Sequence, residues 1–359
     1  MSLRRCRRVG APAVLAVCVL AWFVAPQAAA FATPAWLFSV DMPVSGQTAA
    51  ERTRVAREGL LKVLTRVTGL QSVPRNEVVQ AALAAPDSYY TEFAFAAEPG
   101  SSPAALRLRI NFQADAVLDL TRQARLPLWW TRRPRVLVWL ALEENGVRSV
   151  VSASSEHPLR MALVDAARDR GLELFFPVMD LTDQLAVGPA DVWGRVAESL
   201  DAAGQRYAPD VVVTARFKAS LAALRGLDVR GDWQFWLGND VYAGNQAERQ
   251  YPRLAEATVN GLVDGLVERY AVPARLPQLW EFRVAGLDGI MPYATLMRYL
   301  AAQDFLDDVQ LVALDGDVLT LQARTAAQGE QLLTLLTAET RLRRDHLHRG
   351  PVPQFRWSR

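Results

Sequence analysis

The spacing of apolar residues along the chain predicts alternating helices and strands. Between residues 49 and 68, Leu60, Val63, Leu64 and Val67 recur at the three- and four-residue intervals of an amphipathic helix. Between residues 106 and 112, leucine and isoleucine alternate with arginine and asparagine, which is the period of a half-buried strand. Both periods recur further along the chain, so the pattern predicts a mixed α/β fold.

The first predicted domain is an N-terminal α/β domain at residues 31–126, with the order strand, helix, helix, strand, strand, helix. Thr48 or a neighbouring residue is placed to cap its first helix, and Gly69 is placed to end it. The linker at 127–134 contains Trp129 and Trp130. We expect these rings to pack between domains, although adjacent tryptophans can also form a sugar-binding surface.

The second predicted domain is a central α/β domain at residues 135–272, organised around a helix–strand–helix–strand unit at 158–217. Its strands at 172–179 and 211–217 are predicted to be a buried parallel pair joined by a crossover helix. A parallel pair of this kind needs cover on both faces. The fold class is therefore α/β, with tandem small α/β domains and a central mixed sheet flanked by helices.

Two further patterns in the central domain predict how its sheet packs. An antiparallel meander contains Trp233 and Trp236, which fall on opposite faces of one strand, so one of them should face outward. The closing helix contains Gly261 and Gly265, which lower helix propensity. We expect both glycines to allow close packing on the sheet.

The third predicted domain spans residues 278–345 and has the order strand, helix, strand, strand, helix. This order predicts a C-terminal ferredoxin-like module, which a strand near the C-terminus can complete. The arginine-rich segment at 341–350 is expected to be a solvated and partly mobile tail.

The N-terminus has the pattern of a secretory signal peptide at residues 1–30. Four arginines precede an apolar run at 11–24, and small residues follow at Ala28, Ala29 and Ala30. The run is shorter than the roughly 20 residues that span a bilayer. We therefore predict export to the periplasm and a mature chain that begins near Phe31 or Thr33. An uncleaved inner-membrane anchor is the alternative.

Charge and cysteine content narrow the classes of function. The chain has 40 Lys and Arg against 38 Asp and Glu, and residues 1–30 hold four arginines and no acid. The mature chain thus has 36 basic and 38 acidic residues, and this near-neutral balance gives no reason to expect nucleic acid as a partner. Both cysteines, Cys6 and Cys18, lie within residues 1–30. A mature chain without thiols excludes disulfides, thiolate metal sites and a cysteine nucleophile.

Several segments together resemble a proteobacterial family known only as domain of unknown function 2066. These segments are SVDMPVSGQTAAERTRVAREGLLKVLTRVTG, RPRVLVWLAL, GLELFFPVMDLTDQ, DVWG and APDVVVTARF. The resemblance implies an envelope location and brings no activity, substrate or catalytic residue. The element order of the central domain is also similar to that of periplasmic domains of the Tol system and of the outer-membrane activators of penicillin-binding proteins. Those domains bind partner proteins, so that likeness implies the same only by analogy of fold.

The best candidate site is the loop that leaves the strand at 172–179. In open α/β sheets, ligands bind beyond the carboxyl ends of parallel strands. This loop holds five candidate binding residues: Asp180, Asp183, Gln184, Asp191 and Trp193. Carboxylates beside an aromatic ring can bind a cation or a sugar, or perform acid–base chemistry. The same residues can instead cap helices, satisfy the turn backbone and fill the core.

No motif in the sequence requires an enzyme. There is no G-x-S-x-G, H-E-x-x-H, Walker loop or G-x-G-x-x-G. His157 precedes Pro158 and is expected to have a capping or surface role. His346 and His348, with Asp345, could contact one metal ion, but two histidines in a basic tail without further ligands are a weak signal for a metal site. We therefore predict that the protein has no cofactor and no metal site, and we assign no catalytic residue. The leading hypothesis is a non-catalytic protein-binding or scaffold factor with unidentified envelope partners; the alternative is a carboxylate-based hydrolase acting on glycan or peptidoglycan.

Overall fold

The first sheet of the protein is antiparallel, and its helices follow the order predicted from the sequence. The computed structural model describes residues 34–97, 105–129, 133–222, 226–237, 240–303, 305–327, 329–337 and 341–358. The predicted signal peptide therefore lies outside the described residues. The first elements are β1 (Ser39–Val44), α1 (Ala49–Thr68), α2 (Glu77–Ala84), β2 (Tyr90–Ala97), β3 (Leu106–Phe112) and α3 (Ala114–Gln123).

Strand β3 lies at the centre of this sheet, in the order β1-β3-β2. The two predicted boundaries of α1 are confirmed. The Thr48 side chain accepts a hydrogen bond from the Glu51 amide at 3.2 Å, and Gly69 ends the helix with φ of 70°. The apolar face of α1, including Leu60 and Leu64, is fully buried against this sheet.

A six-stranded mixed sheet forms the centre of the molecule. Its strands run in the order β10-β9-β8-β5-β6, and a short strand, β7, also pairs with β5. The strands and helices of this part are β4 (Leu128–Trp129), β5 (Val136–Glu144), β6 (Val147–Val150), α4 (Pro158–Asp169), β7 (Leu174–Phe175), α5 (Leu181–Ala186), α6 (Pro189–Gly194), α7 (Ala197–Gly204), β8 (Val211–Ala222), β9 (Gly226–Leu237), β10 (Asp240–Glu248), α8 (Tyr251–Tyr270) and β11 (Ala271–Val272).

The predicted mixed sheet with parallel pairs is confirmed, but the pairing differs from the prediction. Strand β5 lies between β7 and β8 and is parallel to both, so β7 and β8 do not pair with each other. The predicted strand at 172–179 is reduced to β7, and Pro177, which has no N–H to donate, follows two residues after its end. The crossover is also three short helices instead of one, and Arg195 interrupts it with φ of 56°.

Helix α8 packs closely on the meander, as its glycines predicted. A Cβ atom on Gly261 would lie 2.4 Å from the Trp233 ring, and one on Gly265 would lie 2.6 Å from the Tyr242 ring. Such distances leave no room for a side chain at either position. Trp233 is buried and Trp236 is exposed, so the prediction that these two rings face opposite ways is also confirmed.

The C-terminal sheet has five strands. Its elements are β12 (Gln278–Ala285), α9 (Ile290–Ala301), β13 (Asp307–Asp315), β14 (Val318–Thr325), α10 (Gly329–Thr337), β15 (Leu342–Arg344) and β16 (Gln354–Trp357). The strand order is β13-β14-β12-β16-β15, in which β13, β14 and β12 are arranged as a ferredoxin-like module requires. Strand β16 is inserted beside β12, runs parallel to it and separates it from β15.

The prediction of a solvated and partly mobile tail at 341–350 is wrong for residues 342–344. Leu342 is fully buried, and residues 342–344 pair with the last strand. The reason is that Phe355 and Trp357 of β16 are buried in the same hydrophobic cluster as Leu342, so this part of the segment pairs along the edge of the sheet.

Three hydrophobic clusters lie at the three larger sheets, and a smaller fourth covers the other face of β5. Strands β4 and β11 pair in a separate two-stranded sheet. Residues Thr33–Arg359 nevertheless form one compact unit, and the division into domains at 126–135 and 272–278 stays a prediction. Trp129 is fully buried, as expected, whereas Trp130 lies outside the described residues. Within the described ranges, no helix combines the length and apolar character that crossing a membrane requires.

Candidate functional site

The predicted loop begins with a capped helix that an arginine holds in place. Asp180 caps α5, and its Oδ1 accepts a hydrogen bond from the Asp183 amide at 3.0 Å. Arg206 donates from Nη1 to Asp180 Oδ1 and from Nη2 to Asp180 Oδ2, each at 2.8 Å. This two-point contact fixes the start of α5 against the residues that follow α7.

Asp183 is the buried centre of the arrangement. Its Oδ2 accepts hydrogen bonds from the Met179 amide at 2.8 Å and from the Tyr207 hydroxyl at 2.5 Å. Its Oδ1 accepts a hydrogen bond from Arg206 Nη1 at 3.0 Å. The Tyr207 oxygen in turn accepts a hydrogen bond from the Val178 amide at 2.9 Å. We call Asp180, Asp183, Arg206 and Tyr207 the polar latch, because they join both ends of the crossover.

The electrostatics of the polar latch keep Asp180 ionised. The hydrogen bonds from Arg206, supported by the Asp183 amide, lower the pKa of Asp180 from its usual 3.8 to about 2. Burial raises the pKa of Tyr207, and its hydrogen bond to Asp183 acts in the same direction. The tyrosine therefore remains a neutral hydrogen-bond donor at neutral pH.

Acid is expected to weaken the polar latch between about pH 4 and pH 2. The folded-state pKa of Asp180 is depressed, so its carboxylate contributes stability above its unfolded pKa, and this contribution is lost as the pH falls towards 2. Urea unfolding of the wild type and Asp180→Asn checks this, because asparagine still caps a helix. The difference between the two midpoints should be constant above about pH 5 and shrink below about pH 4. A difference that stays unchanged in acid would contradict the assignment.

The other predicted residues contact their own surroundings. Gln184 Nε2 donates to the Met179 carbonyl at 2.7 Å, which ties α5 to the preceding turn. Asp191 accepts a hydrogen bond from the Gly188 amide at 2.7 Å and so closes the first turn of α6. The Trp193 ring lies 4.2 Å from the Arg148 guanidinium. The structure thus brings Asp180 and Asp183 together at one arginine, whereas Asp191 and Trp193 have separate partners.

Arg206 and Tyr207 were missed by the sequence reasoning. They lie 23 and 24 residues after Asp183, in a short segment between a helix and a strand. No periodic pattern marks them, because they are not part of an apolar face. The only signal was that they lie just before β8. Strands β7 and β8 are both parallel to β5, so the residues that lead into β8 lie near the residues around β7.

Helix α5 has its polar and apolar residues on unexpected sides. Asp183 is its one buried residue, whereas Leu181 and Leu185 are 71% and 80% exposed. These leucines are four residues apart and therefore share one face of the helix. Val178, just before the helix, is also exposed. We call Val178, Leu181 and Leu185 the α5 surface.

The remaining chemical candidates are engaged in the fold. His157 Nδ1 accepts a hydrogen bond from the Leu159 amide at 3.2 Å, which agrees with its expected capping role. Asp345 accepts a hydrogen bond from the Leu347 amide at 3.1 Å and also contacts Gln354. In the part of the chain that the structure describes, no group of three or more His, Cys, Asp or Glu side chains is arranged to hold a metal ion.

Residues 32–130 match a family described as Domain of unknown function (DUF8605). This range covers less than a third of the chain, so it indicates similarity over the first sheet and β4 only. The resemblance to domain of unknown function 2066 is wrong, because the match over these residues is to a different family. Among curated proteins, none matches the chain.

Proposed function

We propose that this protein is an exported, non-catalytic envelope protein that binds another envelope protein through the α5 surface. The observation that carries the proposal is the reversed polarity of α5. A helix of a self-contained fold buries its leucines and exposes its acids. Here the acid is buried and both leucines are exposed, so the leucines do nothing for the protein's own core.

The polar latch supports this proposal by holding the surface in one conformation. Asp183 is anchored from three directions, and Gln184 adds a further bond to the turn before the helix. Side chains presented on a rigid element lose little conformational entropy on binding. Leucines that share one helix face typically insert into an apolar groove of a partner protein.

The hydrolase alternative has no comparable support. A general acid must carry a proton near neutral pH, yet Arg206 lowers the pKa of Asp180 to about 2. Asp183 could act on a substrate only if Arg206 and Tyr207 first released it. If hydrolysis of peptidoglycan were found and lost in Asp183→Asn, this alternative would replace the proposal.

Export rests on the composition of residues 1–30, a basic start, a short apolar run and three small residues before Phe31. The exported form is expected in the periplasmic fraction, and its N-terminal sequence should begin near Phe31 or Thr33. Recovery of a chain that still carries its first residues, in the membrane fraction, would favour the anchor instead.

A photo-crosslinking amino acid at Leu185 tests the binding proposal. The full-length chain carrying it is expressed in its native host and irradiated, and a discrete crosslinked species is expected. Leu276, which is 87% exposed in the segment before β12, provides the matched control position.

The crosslinked species should disappear when Leu181→Glu is added and should be absent when the crosslinker is at Leu276. The same species from both positions, or a species that survives Leu181→Glu, would contradict a specific role of the α5 surface. No crosslink at all would count against the proposal in the same way.

A further inference from the structure

Strand β13 is the edge of the C-terminal sheet. It pairs with β14 on one side, and among the described residues no strand pairs with it on the other. An unpaired edge presents free backbone N–H and C=O groups, to which an extended peptide can add as a further strand. Proteins usually protect such edges with charges or β-bulges. Strand β13 has register shifts between Asp307 and Gln310 and between Leu311 and Ala313, so the regular edge lies in the segments beside these shifts, and the side chains there decide what can pair with it.

The side chains of β13 are unusually apolar for an exposed edge. Leu311 lies opposite Leu321, and Leu314 lies opposite Leu319, so both project on the same face as two buried leucines of β14. Leu311 is nonetheless exposed, and Leu314 is 66% exposed. The inner face of the sheet therefore continues past β14 as an uncovered apolar strip.

The first turn of α9 extends this strip. The Leu287 amide donates to the Asp317 carbonyl at 3.4 Å, which places the start of α9 beside the turn after β13. At this end of the helix, Ile290 and Met291 are 80% and 69% exposed. We call Ile290, Met291, Leu311 and Leu314 together with the free edge of β13 the β13 groove.

Acidic residues lie at both ends of the groove. Asp307 and Asp308 begin the strand, Asp315 and Asp317 flank its final turn, and residues 307–317 contain no lysine or arginine. Arg324 lies opposite Asp307 on β14, yet among the described residues none of the four aspartates makes an ion pair. The groove is thus apolar at its centre and negative at its ends.

This charge pattern restricts what can pair with the strand. A second copy adding in antiparallel fashion would bring Asp307 opposite Asp315, and like charges at opposed positions destabilise a sheet. An acidic or uncharged strand gains nothing from the four carboxylates. A strand with basic ends and an apolar centre complements both features.

We infer that the β13 groove binds an extended polypeptide segment, with apolar side chains at alternate positions and lysine or arginine at its ends. The segment adds to β13 as a sixth strand, and its alternate apolar side chains contact Leu311, Leu314 and the first turn of α9. This interaction surface is separate from the α5 surface and does not depend on it.

Binding of a defined peptide to the full-length mature protein tests this inference. The probe is a fluorescein-labelled nonapeptide, Lys-Lys-Val-Thr-Ile-Thr-Val-Lys-Lys, measured by fluorescence anisotropy. Two matched peptides serve as controls: one replaces the lysines with glutamates, and one carries N-methyl groups on alternate central amides. Saturable binding is expected for the first peptide alone, because only it has both the charge and the free backbone donors.

Two protein variants separate the contributions of charge and of apolar contact. Asp308→Asn with Asp315→Asn preserves shape and suits the positive φ at Asp308, and should weaken binding about tenfold at low salt. Leu311→Lys with Leu314→Lys should abolish binding, whereas Leu347→Lys, at an isolated exposed leucine, should leave it unchanged. Circular dichroism confirms that each variant is folded.

Three results of the binding assay would overturn the inference. These are an absence of saturable binding by the lysine peptide, equal binding of the glutamate or N-methylated peptide, and equal binding to the Leu311→Lys, Leu314→Lys variant. Sedimentation that showed a wild-type dimer, lost in the same variant, would assign the edge to a second copy and would also overturn it.

Discussion

Arg170→Met is expected to lower the free energy of unfolding by about 3 kcal/mol, since it removes a buried guanidinium and leaves the Gly69 carbonyl and the Asn260 amide oxygen without their donor. The Arg170 side chain is buried at the end of α4. It donates to the Gly69 carbonyl at 2.8 Å, to Asp264 Oδ1 at 3.0 Å and to the Asn260 amide oxygen. These contacts join the ends of α1 and α4 to α8. Urea unfolding followed by tryptophan fluorescence measures the change.

Arg168→Met provides the matched control, two residues away on the same helix. Arg168 is exposed and lies 3.5 Å from Glu173, which is also exposed. Surface ion pairs of this kind contribute little, so a change below about 0.5 kcal/mol is expected. If the two variants lost the same free energy of unfolding, the loss would come from removing a positive charge near the end of α4, and the buried hydrogen bonds of Arg170 would contribute nothing specific.

The Arg170 contacts matter because they connect α1, which covers the first sheet, to α4 and α8, which cover the central sheet. Arg133 adds to the same region by donating to the Arg66 carbonyl at 2.6 Å and to the Gly171 carbonyl at 2.7 Å. A side chain on Gly171 would lie 2.7 Å from the Arg66 carbonyl oxygen, so these backbones approach closely. The two sheets are therefore held by arginine–carbonyl bonds in addition to apolar contact.

Asp183→Ala is expected to lower the free energy of unfolding by a similar amount, about 3 kcal/mol, because buried donors would lose their acceptor. The Met179 amide, the Tyr207 hydroxyl and Arg206 Nη1 all donate to this carboxylate. Arg206 keeps its contact with Asp180 and remains partly solvated, so the amide and the hydroxyl account for most of the loss. Urea unfolding again measures the effect.

Tyr207→Phe tests whether the polar latch acts as one unit. Alone it should cost about 1 kcal/mol, the typical value of one hydrogen bond. In the Asp183→Ala background the same change should cost less, since the hydrogen bond to Asp183 is already gone and only the exposed Val178 amide loses its acceptor. Strictly additive losses would mean that the Asp183–Tyr207 bond contributes nothing, and that the α5 surface is held by other contacts.

Local sequence signals predicted the elements that short-range interactions determine. Helix α1 has the bounds that its apolar spacing, Thr48 and Gly69 indicated. The hairpin between β5 and β6 turns at Asn145 and Gly146, and both have the positive φ that an Asn-Gly hairpin turn requires. In each case the bonds that decide the structure join residues within a few positions of each other.

The candidate site was only half predictable, because half of its contacts join residues that are far apart in the sequence. The sequence placed Asp180 and Asp183 in one loop at the end of a strand, where helix capping is a local property. Whether they would face a ligand or an internal cation depended on Arg206 and Tyr207, whose position is decided by the crossover. Family resemblance did not help, because the family that it suggested was not the one matched by residues 32–130.

By itself, then, the sequence determined the mixed α/β class, the helix ends at Thr48 and Gly69, and the close packing of α8 on the meander. Tertiary structure alone decided that β5 separates β7 from β8 and that β16 inserts beside β12. It also decided that Arg170 reaches the carbonyl of Gly69, 101 residues away. Helical and strand periods specify which face of an element is apolar. They do not specify the neighbour that covers it, because that choice depends on burial and chain closure summed over the whole fold.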